Sequence, residues 1–285
     1  MRRLNRIKLS LGLVVMLVII ACGSPAAPAA MSTQPPIPTP TLEAAVSPTP
    51  SPTPQPAASL TPTPAATPPP ASPVAIELRQ ATLSPRKDNT LYEDTTGSRS
   101  NGAGQHFFAG NTDSGAARRG AVAFDIAGNL PAGATINSVT LTLNMSRTSA
   151  DTPQSIGLHK LLADWGEGIS DASGNEGSGI ATTPGDATWI HRFFDTDLWA
   201  EPGGDFAPSA SASLPVAGIG SYTWGPTPEM AADAQGWLDD PASNFGWLLR
   251  GNEDENGTAK RFATKENEVP ESRPVLTIEF TPPSG

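Results

Sequence analysis

Val139-Thr140-Leu141-Thr142-Leu143-Asn144-Met145-Ser146 is the stretch that decides the fold. Its odd positions are apolar and its even positions polar. A period of two sets one face against a core and the other toward water, the mark of an antiparallel sheet. The same alternation runs through Val122, Phe124 and Ile126, through Leu276, Ile278 and Phe280, and through Val74, Ile76 and Leu78. Weaker strand patterns occupy 156–162, 187–194, 210–216, 245–250 and 260–265. Turn formers punctuate the chain, among them Asn101-Gly102, Leu130-Pro131-Ala132-Gly133 and Asn256-Gly257. Many short strands separated in this way predict an all-β domain, a sandwich or a barrel.

One helix interrupts the pattern. Thr227 can cap it, and Pro228 suits its first position, where a missing N–H costs nothing. Met230, Ala234, Trp237 and Leu238 then share one face, and Asp240-Pro241 ends the segment, so the helix is expected over about 228–240. That spacing makes Trp237 a core residue.

Upstream of the alternation the composition changes. Of the 31 prolines in the 285-residue chain, 17 lie between Pro25 and Pro73, amid Ala, Thr and Ser with a single charge, Glu43. Such a tract lacks the apolar surface to offset the entropy of folding. Residues 23–74 are therefore expected to be a disordered linker, able to reach roughly 160 Å as an extended stalk. A ligand for proline-binding domains is the weaker alternative, because the repeats lack basic or aromatic anchors. Before it, Arg2, Arg3, Arg6 and Lys8 precede an apolar run from Leu9 to Ala21, too short to span a bilayer but suited to an export signal. The run ends Ala21-Cys22-Gly23-Ser24, which resembles a bacterial lipobox. Residues 1–22 are thus expected to be a lipoprotein signal, with Cys22 acylated and the protein lipid-anchored at the extracellular face of the envelope. The alternative is an uncleaved anchor with an incidental cysteine. Cys22 is the only cysteine, which excludes an intramolecular disulfide framework.

Residues 75–285 form the expected domain. They carry 27 Asp and Glu against 14 Lys and Arg, a formal net charge of −13. That balance repels phosphate backbones and excludes nucleic acid as a natural partner. It also opposes other polyanions, such as alginate, unless a bridging cation or the Arg118-Arg119 pair offsets it.

Phe124-Asp125-Ile126, then Leu130-Pro131-Ala132-Gly133-Ala134-Thr135-Ile136, then Ser138-Val139-Thr140-Leu141-Thr142-Leu143 resemble the core of the DNRLRE domain family. Asp164-Trp165-Gly166-Glu167, Ala187-Thr188-Trp189, Gln235-Gly236-Trp237-Leu238, Asn244-Phe245-Gly246-Trp247 and Arg273-Pro274-Val275-Leu276 are similar to its later blocks. Some members look like carbohydrate-binding module family 96. The resemblance implies a jelly-roll β-sandwich over most of residues 80–280, in secreted bacterial proteins that degrade polysaccharides. It maps no ligand motif onto individual residues.

Linear motifs for catalysis are missing: no Gly-x-Ser-x-Gly, no His-Glu-x-x-His and no phosphate-binding glycine loop. His106, His159 and His191 are far apart and lack metal-ligand spacing. A carboxylate pair meeting only in space needs no linear motif, so a hydrolase or lyase stays as a third reading. Two loops carry oxygen donors at spacings that suit calcium: Asp171 and Asn175 in one, Asn252, Asp254 and Asn256 in the other. Aromatics supply the remaining lead, since sugar rings pack on flat indoles. Trp199 lies in a polar loop, and Trp165 and Trp189 sit at strand ends, the latter near Arg192. An open ring beside polar groups is what a saccharide site needs.

The sequence thus predicts an all-β, monomeric, non-catalytic module. Its leading ligand is polysaccharide, bound through Trp199, Trp165, Trp189 and Arg192, with structural calcium as the only inorganic component. The alternative is a structural or adhesion module that contacts a cell-envelope component and binds no glycan.

Overall fold

A computed structural model of the chain describes residues 77–284. The expected signal 1–22 with Cys22, the expected linker 23–74, and Val74 and Ile76 lie outside the described residues. The first strands are β1 (Arg79–Leu83), β2 (Pro85–Tyr92), β3 (Arg99–Ser100), β4 (His106–Asn111), β5 (Ala117–Phe124) and β6 (Thr135–Thr148). Then follow β7 (Gln154–Lys160), β8 (Ile180–Ala181), β9 (His191–Phe193), β10 (Asp197–Leu198), β11 (Ala212–Val216) and β12 (Gly220–Trp224). Helix α1 (Pro228–Asp239) precedes β13 (Trp247–Arg250), β14 (Lys260–Ala263) and β15 (Val275–Thr281).

The all-β reading holds. Among the described residues, eleven strands share one large curled antiparallel sheet, ordered β1-β15-β6-β14-β4-β5-β13-β7-β11, with β12 against β6 and β2 against β5. Strand β4 joins its two halves. Residues 106–109 pair with β14, whereas Gly110 and Asn111 pair with β5. Gly110 makes the switch at φ +110°, where an added Cβ would lie 2.8 Å from the Thr258 carbonyl oxygen. Only glycine tolerates both demands.

The decisive strand behaves as its alternation predicts. Val139, Leu141, Leu143 and Met145 are buried, while Thr140, Thr142, Asn144 and Ser146 are partly exposed. The buried set belongs to one apolar cluster with Val122, Phe124, Ile156, Leu158, Trp247 and Leu249 from the other half of the sheet. Leu143→Ala is expected to cost about 2–5 kcal/mol and Thr142→Ala under about 1 kcal/mol. Equal urea midpoints for the two would contradict the register.

Helix α1 also matches. Thr227 Oγ1 accepts the Met230 N–H at 3.2 Å, and Met230, Ala234, Trp237 and Leu238 are its buried residues. Trp237 meets Trp247 edge to face at 4.6 Å. Gln235 extends from the helix to the start of β6, accepting the Ile136 N–H at 2.8 Å and donating to the Ala134 carbonyl at 3.2 Å. A register shift in the β6–β15 pairing lies beside Ile136, so the glutamine satisfies backbone that the ladder leaves free.

The first alternation is corrected. Strand β1 starts only at Arg79, and Leu78 is 55% exposed outside it. A second correction concerns the outer face of β5 and β13. Alternation predicts solvent there, yet Ala121, Ala123 and Leu248 form a second buried cluster with Leu91, Leu161, Trp165, Ala187 and Trp199. Four of those, Leu161, Trp165, Ala187 and Trp199, come from the long segment between β7 and β11, which carries only the short strands β8, β9 and β10. That segment is a roof. Without it the outer face would expose apolar area, so the segment is structural as well as connecting.

Candidate functional site

The roof settles the position of the tryptophans. Trp165 is 1% exposed, and its Nε1–H donates to the Phe245 carbonyl at 2.9 Å. Trp199 is 5% exposed, and its Nε1–H donates to the Thr188 carbonyl at 2.9 Å. Neither presents an open ring, which corrects the expectation that both are sugar platforms. Trp199 stands in a polar stretch of sequence, and its packing partners Leu91, Ala121, Ala123 and Leu248 are distant along the chain. Trp189 is half-buried, with the Arg119 guanidinium 4.6 Å from its ring centre. Arg192 pairs with Asp197 at 3.1 Å, so its charge is already matched.

The two expected calcium loops do not gather their donors. Asp171 and Asn175 are exposed, and Asn175 Oδ1 accepts from Arg147 Nη1 at 2.8 Å. In the other loop Asn252 Oδ1 accepts the Asp254 N–H at 3.0 Å, and Asn256 Nδ2 donates to the Asp113 carbonyl at 3.3 Å. Asp254 is exposed. Asn252 braces its own turn, whereas Asn175 and Asn256 tie their loops to β6 and to the β4–β5 turn. The histidines sit in three separate networks: His106 with Glu176, His159 with the Ala207 carbonyl, His191 with Thr188.

What the fold does bring together is a set of arginines. Arg261 on β14 lies directly opposite Phe108 on β4 and opposite Arg147 on β6. Strict alternation along β6 would give Arg147 the inward parity of Met145. A register shift intervenes: Arg261 pairs with Arg147 but Phe262 pairs with Met145, so Ser146 is the extra residue. Such a bulge re-aims the side chain that follows it. Arg118, paired to Gly110 beyond the β4 switch, adds a third guanidinium. All three line a pocket of about 150 Å³ whose wall also includes Phe108, Asp113 and Thr148.

Like charges directly opposite on neighbouring strands are destabilising. Here they are also unmatched. Ion pairs within 4.0 Å occupy Lys87, Arg119, Lys160, Arg192, Arg250 and Lys265, but among the described residues none reaches Arg118, Arg147 or Arg261. Arg118 donates to the Gly177 and Ala117 carbonyls at 3.1 and 2.8 Å, and Arg261 Nε to Ser146 Oγ at 3.0 Å. Burial pulls both Arg118 and Arg261 below the usual arginine range, and the charge of Arg147 pulls Arg261 further down. Glu176 and Glu93 oppose this only from beyond ion-pair distance. In a domain of net charge −13, this spot concentrates positive charge. Planar guanidiniums with free donors match a carboxylate or sulfate in bidentate geometry.

The Arg118-Arg119 pair singled out in the sequence is therefore divided. Arg118 faces this pocket. Arg119 is held by Glu253 through Nε and Nη2, at 2.7 and 2.8 Å, and has no unmatched charge. Arg147 and Arg261 escaped sequence reading because 114 positions separate them and only the β6–β14 register joins them. No protein-family model matches the chain, and no curated protein is similar to it.

Proposed function

We propose that residues 75–285 form a non-catalytic module that binds acidic polysaccharide at the Arg118, Arg147 and Arg261 pocket. In this reading a lipid on Cys22 holds the module at the extracellular face of the bacterial envelope, and the proline-rich segment lifts it away from the membrane. The resemblance to DNRLRE domains supports the setting. The observation that carries the ligand is the convergence of three unpaired guanidiniums on one pocket. An anionic substituent of a sugar relieves the repulsion between Arg147 and Arg261 while satisfying their free donors. The pocket takes that substituent and part of one ring, leaving the rest of the chain on the surface.

Calorimetric titration of the purified chain with uronic-acid, sulfated and neutral oligosaccharides tests this. Acidic ligands are expected to bind, more weakly as salt rises. Arg261→Ala removes charge-assisted hydrogen bonds worth about 1.5–3 kcal/mol, or about 10- to 150-fold in affinity. The same variant should keep or slightly raise the melting temperature, since it ends a like-charge contact. Equal affinity in wild type and Arg261→Ala would move the site elsewhere. Failure of every glycan to bind would leave the structural or adhesion reading in its place.

A further inference from the structure

Asp88 is an ionisable residue at the centre of β2 with no exposed surface. Its Oδ2 accepts the Lys265 N–H at 2.9 Å, but its Oδ1 is buried and has no partner. The Asp88 N–H donates to Glu167 Oε1 at 2.8 Å, which draws that carboxylate to the same spot. Glu266 completes the group, and its Oε2 is likewise buried without a partner. One oxygen from each of Asp88, Glu167 and Glu266 lies within 4.8 Å of the other two.

Counter-charge at this cluster is incomplete. Lys265 Nζ sits 3.0 Å from Glu167 Oε1 and contacts Glu266 Oε1, supplying one positive charge against three carboxylates. The neighbouring Lys87 is committed to Asp164 at 2.6 Å. Two orphaned buried oxygens remain, and with all three carboxylates ionised so do two negative charges. Buried carboxylate oxygens without a donor are costly, so a divalent cation suits this cluster better than a second ammonium. The donors are all hard oxygens, the set that selects calcium or magnesium over zinc or copper. Bonds of about 2.3–2.6 Å let one calcium bridge oxygens up to about 5 Å apart, a wider reach than the shorter bonds of magnesium give.

We propose that Asp88, Glu167 and Glu266 form a calcium site that ties β2 to the roof segment and to the turn after β14. Glu167 follows the buried Trp165 by two positions, so the ion pins the roof where its indole enters the second apolar cluster. The site shares no residue with the arginine pocket and does not depend on the glycan reading.

The test uses the purified chain stripped with a chelator, then titrated with calcium or magnesium chloride by calorimetry and followed by thermal unfolding. One equivalent of calcium should bind, with a melting temperature several degrees higher in calcium than in chelator and a smaller shift in magnesium. Glu266→Gln should lose the calcium-dependent shift. It is partly exposed, so this variant is expected to fold even where Asp88→Asn is not. Asp254→Asn, in the exposed loop, should keep the shift. No binding at millimolar calcium, or a full shift retained in Glu266→Gln, would overturn the proposal and leave Lys265 as the sole counter-charge.

Discussion

Trp199→Ala is expected to lower the unfolding free energy by about 3–5 kcal/mol, the cost of deleting a large buried aromatic. The indole packs in the second apolar cluster with Leu91, Ala121, Ala123, Trp165 and Leu248. Removing it leaves a cavity between roof and sheet and strands the Thr188 carbonyl that its Nε1–H satisfies. The backbone around Trp199 is tied down as well, its N–H donating to the Ile190 carbonyl at 3.0 Å. Urea unfolding followed by tryptophan fluorescence and by circular dichroism measures the loss. Hydrogen exchange then shows where it falls. Amides of residues 187–206 should lose protection before those of β6, because the roof rests on the sheet through this cluster while β6 belongs to the other one. An unchanged midpoint would mean that the roof packs loosely and that its tryptophans are available to ligand after all.

That prediction reverses what local sequence suggests for Trp199, and the reason is general to this fold. Strand β6 is legible because one of its faces meets a core and the other water, so period two survives in the residues. The helix is legible because Thr227, Pro228 and four apolar positions all agree. Strand β2 is not. Its residues Asp88, Asn89 and Thr90 are polar and spell a turn, yet all three are fully buried. They are stabilised by hydrogen bonds from elsewhere: Asn89 Nδ2 reaches Ser100 Oγ and the Glu167 carbonyl, both at 2.9 Å. Strand β5 is half legible, since its alanines hide a second buried face that larger residues would have advertised. Both candidate sites share this difficulty. Arg147 meets Arg261 through strand register, and Asp88 meets Glu167 and Glu266 across separations of 79 and 178 positions. No linear spacing encodes either meeting.

Glu253→Ala is expected to cost about 3–5 kcal/mol, the penalty for leaving a buried charge without its partner. Each side chain of the Arg119–Glu253 pair is only 12% exposed. The guanidinium lies 4.6 Å from the Trp189 ring centre and 5.2 Å from that of Phe206, and its Nη1 donates to the Gly203 carbonyl at 2.9 Å. It therefore fastens the roof to β5, and among the described residues Glu253 is the carboxylate paired with it. Burial alone would raise the Glu253 carboxyl, but the hydrogen bonds and charge of Arg119, then the charge of Arg250, hold it below its usual value. A depressed carboxylate contributes stability that is present above the unfolded value of about 4.3 and lost as pH falls through the folded one. The wild type should thus destabilise on acidification more steeply than Glu253→Ala. Glu253→Gln, which keeps the shape and one acceptor, should fall between the two. Replacing both partners, Arg119→Met with Glu253→Leu, should recover much of the loss, because apolar groups of similar size need no counter-charge. Urea midpoints for the four chains at neutral and acidic pH decide the matter. A single-variant cost under about 1 kcal/mol is the value of an exposed pair, and it would show that water reaches Arg119 beneath the roof.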